Sequence, residues 1–252
     1  MKKLLVILLL SSIHYAAVIH VPDDYTTIQD GINASVNGDT VLIAQDTYYE
    51  NLVLAKEIVL ASHAVYDDLG SDWHDNENIQ GTIISGAHNG SSLIIRYGNI
   101  EPTIMGLTFQ DGTGTSMVLA DGFANLSGRS GGAILIYKAY PTINYNRFIN
   151  NGFDEQAGGG TGESVADGGA VSHYASEDVQ FDEDRGHAGQ ATGSTRTIPT
   201  TMNIQNNYYE NNSAGNGENF YSHGYGGSID VSNSIFENID CESSSVNEFV
   251  LR

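Results

Sequence analysis

Short apolar runs, separated by Gly, Asn and Asp, recur along the first half of the chain. Runs of three to eight residues that are bounded by turn-forming or polar residues are typical of β-strands. They predict strands at 19–22, 40–44, 52–54, 58–61, 82–85, 92–95 and 103–105, with the polar segment 46–51 between two of them. One exception is 23–36, where Tyr25, Ile28 and Ile32 share a helical face and Gly38 is placed to end a short helix.

The second half of the chain repeats one pattern, which is clearest in the stretch 131–152, GGAILIYKAYPTINYNRFINNG. An aromatic residue is followed two positions later by Asn or Asp, and preceded five positions earlier by an apolar residue. A Gly-Gly-small-apolar step begins at Gly131, Gly168 and Gly226. The aromatic copies are Phe109 with Asp111, Phe148 with Asn150, Tyr209 with Asn211 and Phe236 with Asn238, and the apolar residues are Ile104, Ile143, Ile204 and Val231.

Such a repeat predicts coils whose short strands pair in parallel with the coils above and below, about 4.8 Å apart. The aromatic residues should then stack in one interior column. The Asn and Asp residues should sit at one sharp turn, because both tolerate left-handed backbone. The alternative is a chance alignment in a chain rich in Asn and Gly. Three features that share one register argue against that alternative.

The opening segments DYTTIQDGINASVNGDTVLIAQDTYYENLVLAKEIVLAS, TIISG and LTFQDGTG resemble those of secreted right-handed parallel β-helix proteins. Pectin methylesterases and uncharacterised bacterial β-helix repeat proteins of the pectin lyase-like superfamily begin in this way. The resemblance implies an all-β fold, a single right-handed parallel β-helix over 18–252. It would have a short capping helix within 19–38 and loop insertions at about 62–81 and 172–200.

Charge excludes one class of partner. The chain has 31 acidic and 10 basic side chains, a net charge of −21. Nucleic acid binding needs Lys and Arg to neutralise phosphates, so we expect no nucleic acid partner. Polyuronates should also be repelled unless a cation bridges them. The simplest interpretation of the acidity is solubility.

Residues 1–17, MKKLLVILLLSSIHYAA, combine Lys2 and Lys3 with a short apolar core and small residues. This order is typical of a secretory signal peptide, and the apolar core is too short to span a bilayer. We therefore expect a secreted protein, extracellular or at the cell surface, with the periplasm as an alternative, and no transmembrane span. Cys241 is the sole Cys, so no disulfide forms within the chain. The end at 249–252 has no evident cap, so we expect further chain or a partner to cover it.

Catalytic signatures of related enzymes are incomplete, so the catalytic residues stay unassigned. Gln110-Asp111 echoes a pectin methylesterase pair, but the later signature segments of that family are absent, and Asp111 occupies a turn position of the repeat. Asp67-Asp68 and Gly186-His187 match only fragments of the polygalacturonase pattern. None of the basic residues falls in a pectate lyase motif.

Two groups of side chains are candidates for ligand binding. Trp73 lies among Asp72, His74 and Asp75, and an exposed indole flanked by polar groups can stack on a sugar ring. Alternatively, Trp73 folds back and anchors its own loop. Tyr137 and Tyr174 should point outward from aligned strands, where they would line a glycan groove or form ordinary surface.

The acidic segment that contains Asp178, Asp182, Glu183 and Asp184 is a candidate metal site, since Ca²⁺ prefers such oxygen ligands. The spacing matches no known calcium loop, and the alternative is a solvated acidic loop.

Three functions remain open at this stage. The first is a carbohydrate-binding or structural module whose partner is a polysaccharide or cell-surface glycan. The second is a polysaccharide-acting lyase, esterase or hydrolase. The third is a fragment of an adhesin or larger exported protein. A cluster of carboxylates with Arg or Lys on one sheet would favour the enzyme.

Overall fold

The computed structural model describes residues 15–120, 125–152, 165–175, 179–181, 201–214, 218–223, 227–237 and 249–251, and it is an all-β fold. The predicted signal peptide and the acidic segment with Asp178, Asp182, Glu183 and Asp184 lie outside these residues, apart from residues 15–17. Within the described ranges, the helices are all too short or too polar to traverse a lipid bilayer.

The described chain begins with β1 (Val18–Val21) and α1 (Ile28–Ala34), which confirms the predicted opening strand and short helix. Thr27 caps the helix by accepting a hydrogen bond from the Asp30 amide. The Glu50 carboxylate accepts two further bonds, from the amides of Ile28 and Gln29, at 2.9 and 3.0 Å. The helix is shorter than predicted. It ends at Ala34, and Tyr25 precedes it.

Strands then follow one another at short intervals. In the first half they are β2 (Thr40–Ile43), β3 (Asp46–Tyr49), β4 (Leu52–Leu54), β5 (Val59–Ser62), β6 (Thr82–Ser85), β7 (Leu93–Ile100), β8 (Thr103–Met105) and β9 (Thr108–Gln110). Between β5 and β6 lie two 3₁₀ turns, His63–Tyr66 and Trp73–Asp75, and α2 (Glu77–Gly81). The segment expected only to separate two strands is itself the strand β3, because its Tyr48 is buried in the core.

The second half contributes fourteen described strands. They are β10 (Thr115–Ala120), β11 (Asn125–Ser130), β12 (Ile134–Ala139), β13 (Thr142–Asn144), β14 (Arg147–Ile149), β15 (Val165–Asp167), β16 (Val171–Tyr174), β17 (Val179–Phe181), β18 (Thr201–Asn203), β19 (Tyr208–Glu210), β20 (Phe220–His223), β21 (Ser228–Asp230), β22 (Ile235–Glu237) and β23 (Phe249–Leu251). The predicted insertion at 172–200 therefore begins only after Tyr174, since 172–174 belong to β16.

The strands visit three sheets in rotation. Sheet 1 has the order β1-β2-β5-β8-β13, sheet 2 has β3-β6-β9-β14-β19-β22, and sheet 3 has β4-β7-β12-β16-β20-β23. All pairings within these sheets are parallel. The strands β18 and β21 pair in parallel with each other. They come directly before β19 and β22 of sheet 2, where a strand of sheet 1 stands in the earlier circuits. A fourth sheet, β15-β11-β10-β17, includes the antiparallel hairpin β10-β11. We call one passage through sheets 1, 2 and 3 a circuit.

The predicted aromatic column is confirmed. Phe109, Phe148, Tyr209 and Phe236 are direct partners on neighbouring strands of sheet 2. Their rings stack with centroid distances of 5.6, 5.1 and 4.9 Å and interplanar angles of 17° or less. These side chains belong to or pack against one continuous apolar core, which neighbouring circuits complete for one another.

The predicted left-handed corner is also confirmed for Asp111, Asn150 and Asn211, whose φ angles are 55°, 55° and 53°. Asn238 lies outside the described residues. The sequence analysis missed a second role of asparagine at the corners. Asn146 and Asn207 form a buried ladder that bonds backbone groups of neighbouring circuits.

One predicted alignment was wrong. The steps at Gly131 and Gly168 do align, because Ile134 pairs with Val171 in sheet 3. The step at Gly226 instead leads into β21, which pairs with β18. The counterpart of Val171 in the next circuit is Phe220, which no Gly-Gly pair precedes.

Glycine is required where sheet 2 turns towards sheet 3. A Cβ on Gly112 would stand 1.9 Å from the carbonyl oxygen of Gly132, and one on Gly132 would stand 1.9 Å from that of Gly169. No side chain fits such an approach, so these glycines let successive circuits stack closely at that corner.

Candidate functional site

The outer face of sheet 2 carries a cluster of ionisable side chains. Because side chains alternate along a strand, the neighbours of the buried aromatic column point outward. Arg147 and Tyr208 form one outward row, and Glu210 and Glu237 form the next row, each on adjacent paired strands. We call these four residues with His74 the sheet 2 cluster.

Loop 63–81 packs on the same face and holds one side of the cluster. Its Trp73 and Ile79 form a small apolar core with Tyr208, separate from the main core. The Thr108 hydroxyl on the sheet donates a 2.7 Å hydrogen bond to the Ile79 carbonyl. The loop is therefore fixed to the sheet by apolar and polar contacts.

Asparagine side chains shape the loop internally. The Asn76 side chain accepts hydrogen bonds from the amides of Asn78 and Ile79 at the start of α2. The side-chain amides of Asn78 and Asn76 donate to the Asp67 carboxylate at 2.8 and 2.9 Å, and these bonds lower the pKa of Asp67. The local polar residues thus hold the loop in one conformation.

Trp73 does not have the exposed indole that we expected. Its side chain is only 6% exposed, and its ring packs edge-on against Tyr145 with a centroid distance of 5.6 Å. The alternative expectation, that Trp73 anchors its own loop, agrees with this burial. The indole is unavailable for stacking on a sugar, because its side chain is buried and packs with Tyr145 and Tyr208.

The polar neighbours of Trp73 separate into two groups. Asp72 and Asp75 border an open depression of about 350 Å³ in the loop surface, which is lined by residues 68–73, 75 and 76. His74 instead faces the sheet. Its ring lies parallel to that of Tyr208 with a centroid distance of 6.0 Å, and its Nε2 is 3.8 Å from Asp75. The Nδ1 atom of His74 is buried without a hydrogen bond in the described structure.

Tyr208 is the centre of the cluster. Its hydroxyl lies 2.9 Å from Oε2 of Glu237 and 3.1 Å from Oε2 of Glu210, and it donates its single proton to one of them at a time. Burial is the main cause that raises the pKa of Tyr208, and the bonds to Glu237 and Glu210 raise it further. The phenol therefore keeps its proton at any physiological pH and acts as a donor. Two carboxylates converge on this one hydroxyl.

Arg147 supplies the positive charge of the cluster. Its guanidinium carbon lies 5.1 Å from the centre of the Tyr208 ring, within cation–π range. Its Nε atom is buried and makes no hydrogen bond in the described part of the chain. Arginine, phenol and two carboxylates on one sheet form the arrangement that we took as a sign favouring an enzyme.

Tyr137 and Tyr174 point outward from sheet 3 but are not surface residues. They pair directly in β12 and β16, and they are only 6% and 0% exposed. The Tyr174 hydroxyl lies 2.7 Å from the Ser130 hydroxyl on β11. Because the hairpin β10-β11 contributes this contact over the sheet, the expectation of an open glycan groove at these tyrosines was wrong.

The outward positions of sheet 3 continue on β20 as Tyr221 and His223. The rings of Tyr174 and His223 lie 6.2 Å apart.

Metal ligation finds no support in the described structure, where no three His, Cys, Asp or Glu side chains stand close enough to share an ion. The acidic segment proposed for Ca²⁺ falls outside the described residues, so that expectation stays a prediction.

Comparisons with known proteins do not assign the chain to a family, since no family model, curated protein or solved structure matches it. The resemblance to pectin lyase-like proteins therefore stays a prediction that rests on the sequence segments.

The repeat contained a signal for the cluster that the sequence analysis did not use. Arg147 and Tyr208 directly precede Phe148 and Tyr209, while Glu210 and Glu237 directly follow an aromatic of the column. Once the column is assigned to the interior, its neighbours along the chain must face outward.

Proposed function

We propose that the chain is a secreted right-handed parallel β-helix of the pectin lyase-like kind, with α1 capping its first circuit. The rotation of strands through three parallel sheets supports this fold, and the basic, apolar and small residues of 1–17 support export. The strands stack about 4.8 Å apart, so outward residues form regular rows along the long axis. Such rows suit an extended polymer as a ligand.

Its function, in this proposal, is to bind a polysaccharide or cell-surface glycan at the sheet 2 cluster. The observation that carries the proposal is the convergence of Glu210 and Glu237 on the Tyr208 hydroxyl. Glu237 is exposed and Glu210 is half-buried, so both can reach a ligand while Tyr208 fixes their positions. Carboxylate oxygens are strong acceptors for sugar hydroxyls, and charge-assisted hydrogen bonds are about twice as strong as neutral ones.

A glycan array with residues 18–252 tests this proposal. We expect Glu237→Ala to weaken binding by roughly 10- to 100-fold, since a hydrogen bond to a charged group contributes about 1.5–3 kcal/mol. The matched control is Asp23→Ala, which removes an exposed carboxylate beside β1, at the opposite end of the sheets. A blank array, or equal binding by the Glu237→Ala variant, would contradict the proposal.

A polysaccharide hydrolase is the second candidate. The Oε2 atoms of Glu210 and Glu237 are at most 6.0 Å apart, since both contact one hydroxyl. Retaining glycosidases hold two carboxyl groups about 5–5.5 Å apart, with one as acid and the other as nucleophile. Release of reducing ends from a bound glycan, lost in Glu210→Gln and in Glu237→Gln, would support the hydrolase. Binding without turnover would support the glycan-binding function and contradict the hydrolase.

A further inference from the structure

Ala17 directly precedes β1 and belongs to the fold through both of its backbone groups. Its carbonyl accepts a 2.8 Å hydrogen bond from the Thr40 amide, which extends the pairing of β1 with β2 by one residue. Its nitrogen donates to Oδ1 of Asp39, also at 2.8 Å. The two residues before it are exposed, Tyr15 at 84% and Ala16 beside it. The fold therefore uses the chain from Ala17 onward.

The carboxylate that meets the Ala17 nitrogen is buried and fixed in place. Asp39 is only 5% exposed, and its Oδ2 accepts a 2.8 Å hydrogen bond from the Val36 amide. Its backbone carbonyl accepts a further bond from the Val59 amide on β5, at 2.9 Å. Hydrogen bonds between two ionised groups are shorter and stronger than those with a neutral partner. The Ala17 nitrogen would thus hold Asp39 more strongly as an ammonium than as an amide.

We propose that a signal peptidase cuts the chain between Ala16 and Ala17, and that the new α-ammonium of Ala17 forms an ion pair with the Asp39 carboxylate. In this hydrolysis the hydroxyl of water joins the Ala16 carbonyl carbon and the remaining hydrogen joins the Ala17 nitrogen. The new carboxyl group then loses a proton and the new amine gains one, since an α-amino group is largely protonated at neutral pH. The inference rests on the proposed export of the chain and is independent of the glycan site.

The contacts of Ala17 favour this cut over its neighbours. A cut one residue later, at the boundary expected from the sequence, would take away the carbonyl that binds Thr40 and the nitrogen that binds Asp39. A cut one residue earlier would keep both contacts but leave that nitrogen a neutral amide. Ala16 also suits the last position of a leader, where small residues are typical.

The position of the cut is read directly from the exported protein. The full chain, 1–252, is produced in a bacterial host, and the first residues of the released protein are sequenced. We expect the sequence AVIHV, which begins at Ala17. A released protein with another first residue would overturn this inference and leave export standing. A protein that stays in the cell and keeps its leader would overturn the proposed export and this inference with it.

Thermal unfolding tests the ion pair. Chains that begin at residues 16, 17 and 18 are released from a cleavable fusion that leaves no added residue. We expect 17–252 to unfold about 2–4 °C above 16–252, a shift of the size that one charge-assisted contact gives in a domain of this length. The chain 18–252 should also unfold below 17–252, because it lacks both contacts of Ala17.

Two changes separate the charge from the hydrogen bond. Selective acetylation of the α-amino group of Ala17 keeps the N–H donor and removes the charge, so it should abolish the difference between 17–252 and 16–252. Asp39→Asn should abolish it as well, and acetylation decides the matter if that variant fails to fold. The matched control, Asp23→Asn, removes an exposed carboxylate two residues after β1 and should preserve the difference. Equal unfolding temperatures for the two chains, or a difference that survives acetylation, would overturn the ion pair.

Discussion

The asparagine ladder between circuits should carry a large part of the stability of the fold. Asn207 is fully buried, and its side chain makes three hydrogen bonds. Its Oδ1 accepts from the Asn146 backbone amide at 3.0 Å and from the Asn146 side chain at 3.3 Å, and its Nδ2 donates to the Ile143 carbonyl at 2.8 Å. One side chain therefore ties its own circuit to two backbone groups of the neighbouring circuit.

Replacing Asn207 with Ala removes all three bonds and leaves two backbone groups, on Asn146 and Ile143, without these partners. Each buried polar group left unsatisfied costs about 1–3 kcal/mol. We therefore expect Asn207→Ala to lower the free energy of unfolding by about 2–6 kcal/mol. This is a large fraction of the 5–15 kcal/mol that is typical of domains.

Urea unfolding followed by circular dichroism measures this loss. The control is Asn203→Ala, because Asn203 is exposed on β18 and its replacement should change stability by less than about 0.5 kcal/mol. A loss below about 1 kcal/mol for Asn207→Ala, or one no larger than that of the control, would refute the argument that the ladder holds the corner together.

Two further predictions concern the core. Phe148→Ala should lower the free energy of unfolding by about 3–5 kcal/mol, because the side chain is fully buried and stacks on both Phe109 and Tyr209. Thermal unfolding should show a smaller loss for Phe236→Ala, because Phe236 is only partly buried. His173 is fully buried, and burial lowers its pKa from 6.5 to about 4. The unfolded chain therefore takes up the proton first, so stability should fall by about 3 kcal/mol as the pH drops from 6.5 to 4, with no contribution above 6.5. Unfolding midpoints measured across this range should show that slope, and His173→Leu should flatten it; an unchanged slope in that variant would assign the acid sensitivity to other groups.

The interior of the fold could be predicted from the sequence because its signals are local and periodic. An aromatic residue recurs with a turn residue two positions later, and both must occupy equivalent places in every circuit. Hence Phe148 and Tyr209 stack as expected, and Asn150 and Asn211 share a left-handed corner. A register of this kind needs no knowledge of distant contacts.

The exterior could not be predicted in the same way. Whether an outward side chain is exposed depends on which insertion covers it, and insertions do not repeat. Tyr174 is covered by β11, whose Ser130 hydroxyl it contacts, and Trp73 is held by its own loop against Tyr145. Phe220 was missed as the counterpart of Val171 because its circuit lacks the glycine pair that marked the earlier ones.

The candidate site lies between these two cases. The register alone places Tyr208 and Glu210 on the outer face, once Tyr209 is known to be inside. The contact of Tyr208 with His74 depends on how loop 63–81 docks, which no repeat encodes. The outward rows of sheet 2 could be predicted from the sequence, but the placement of His74 beside them could not.

The glycine-lined corner between sheet 2 and sheet 3 has a consequence for how this molecule can change over time. The connection there has two residues between β3 and β4 but 23 between β9 and β12, and the strands on either side remain paired in the same order. The corner therefore accepts inserted segments of very different length without a change in the pairing of the strands on either side. During evolution a new ligand specificity can arise there through a longer or different connection, while the stacked strands keep their sequence.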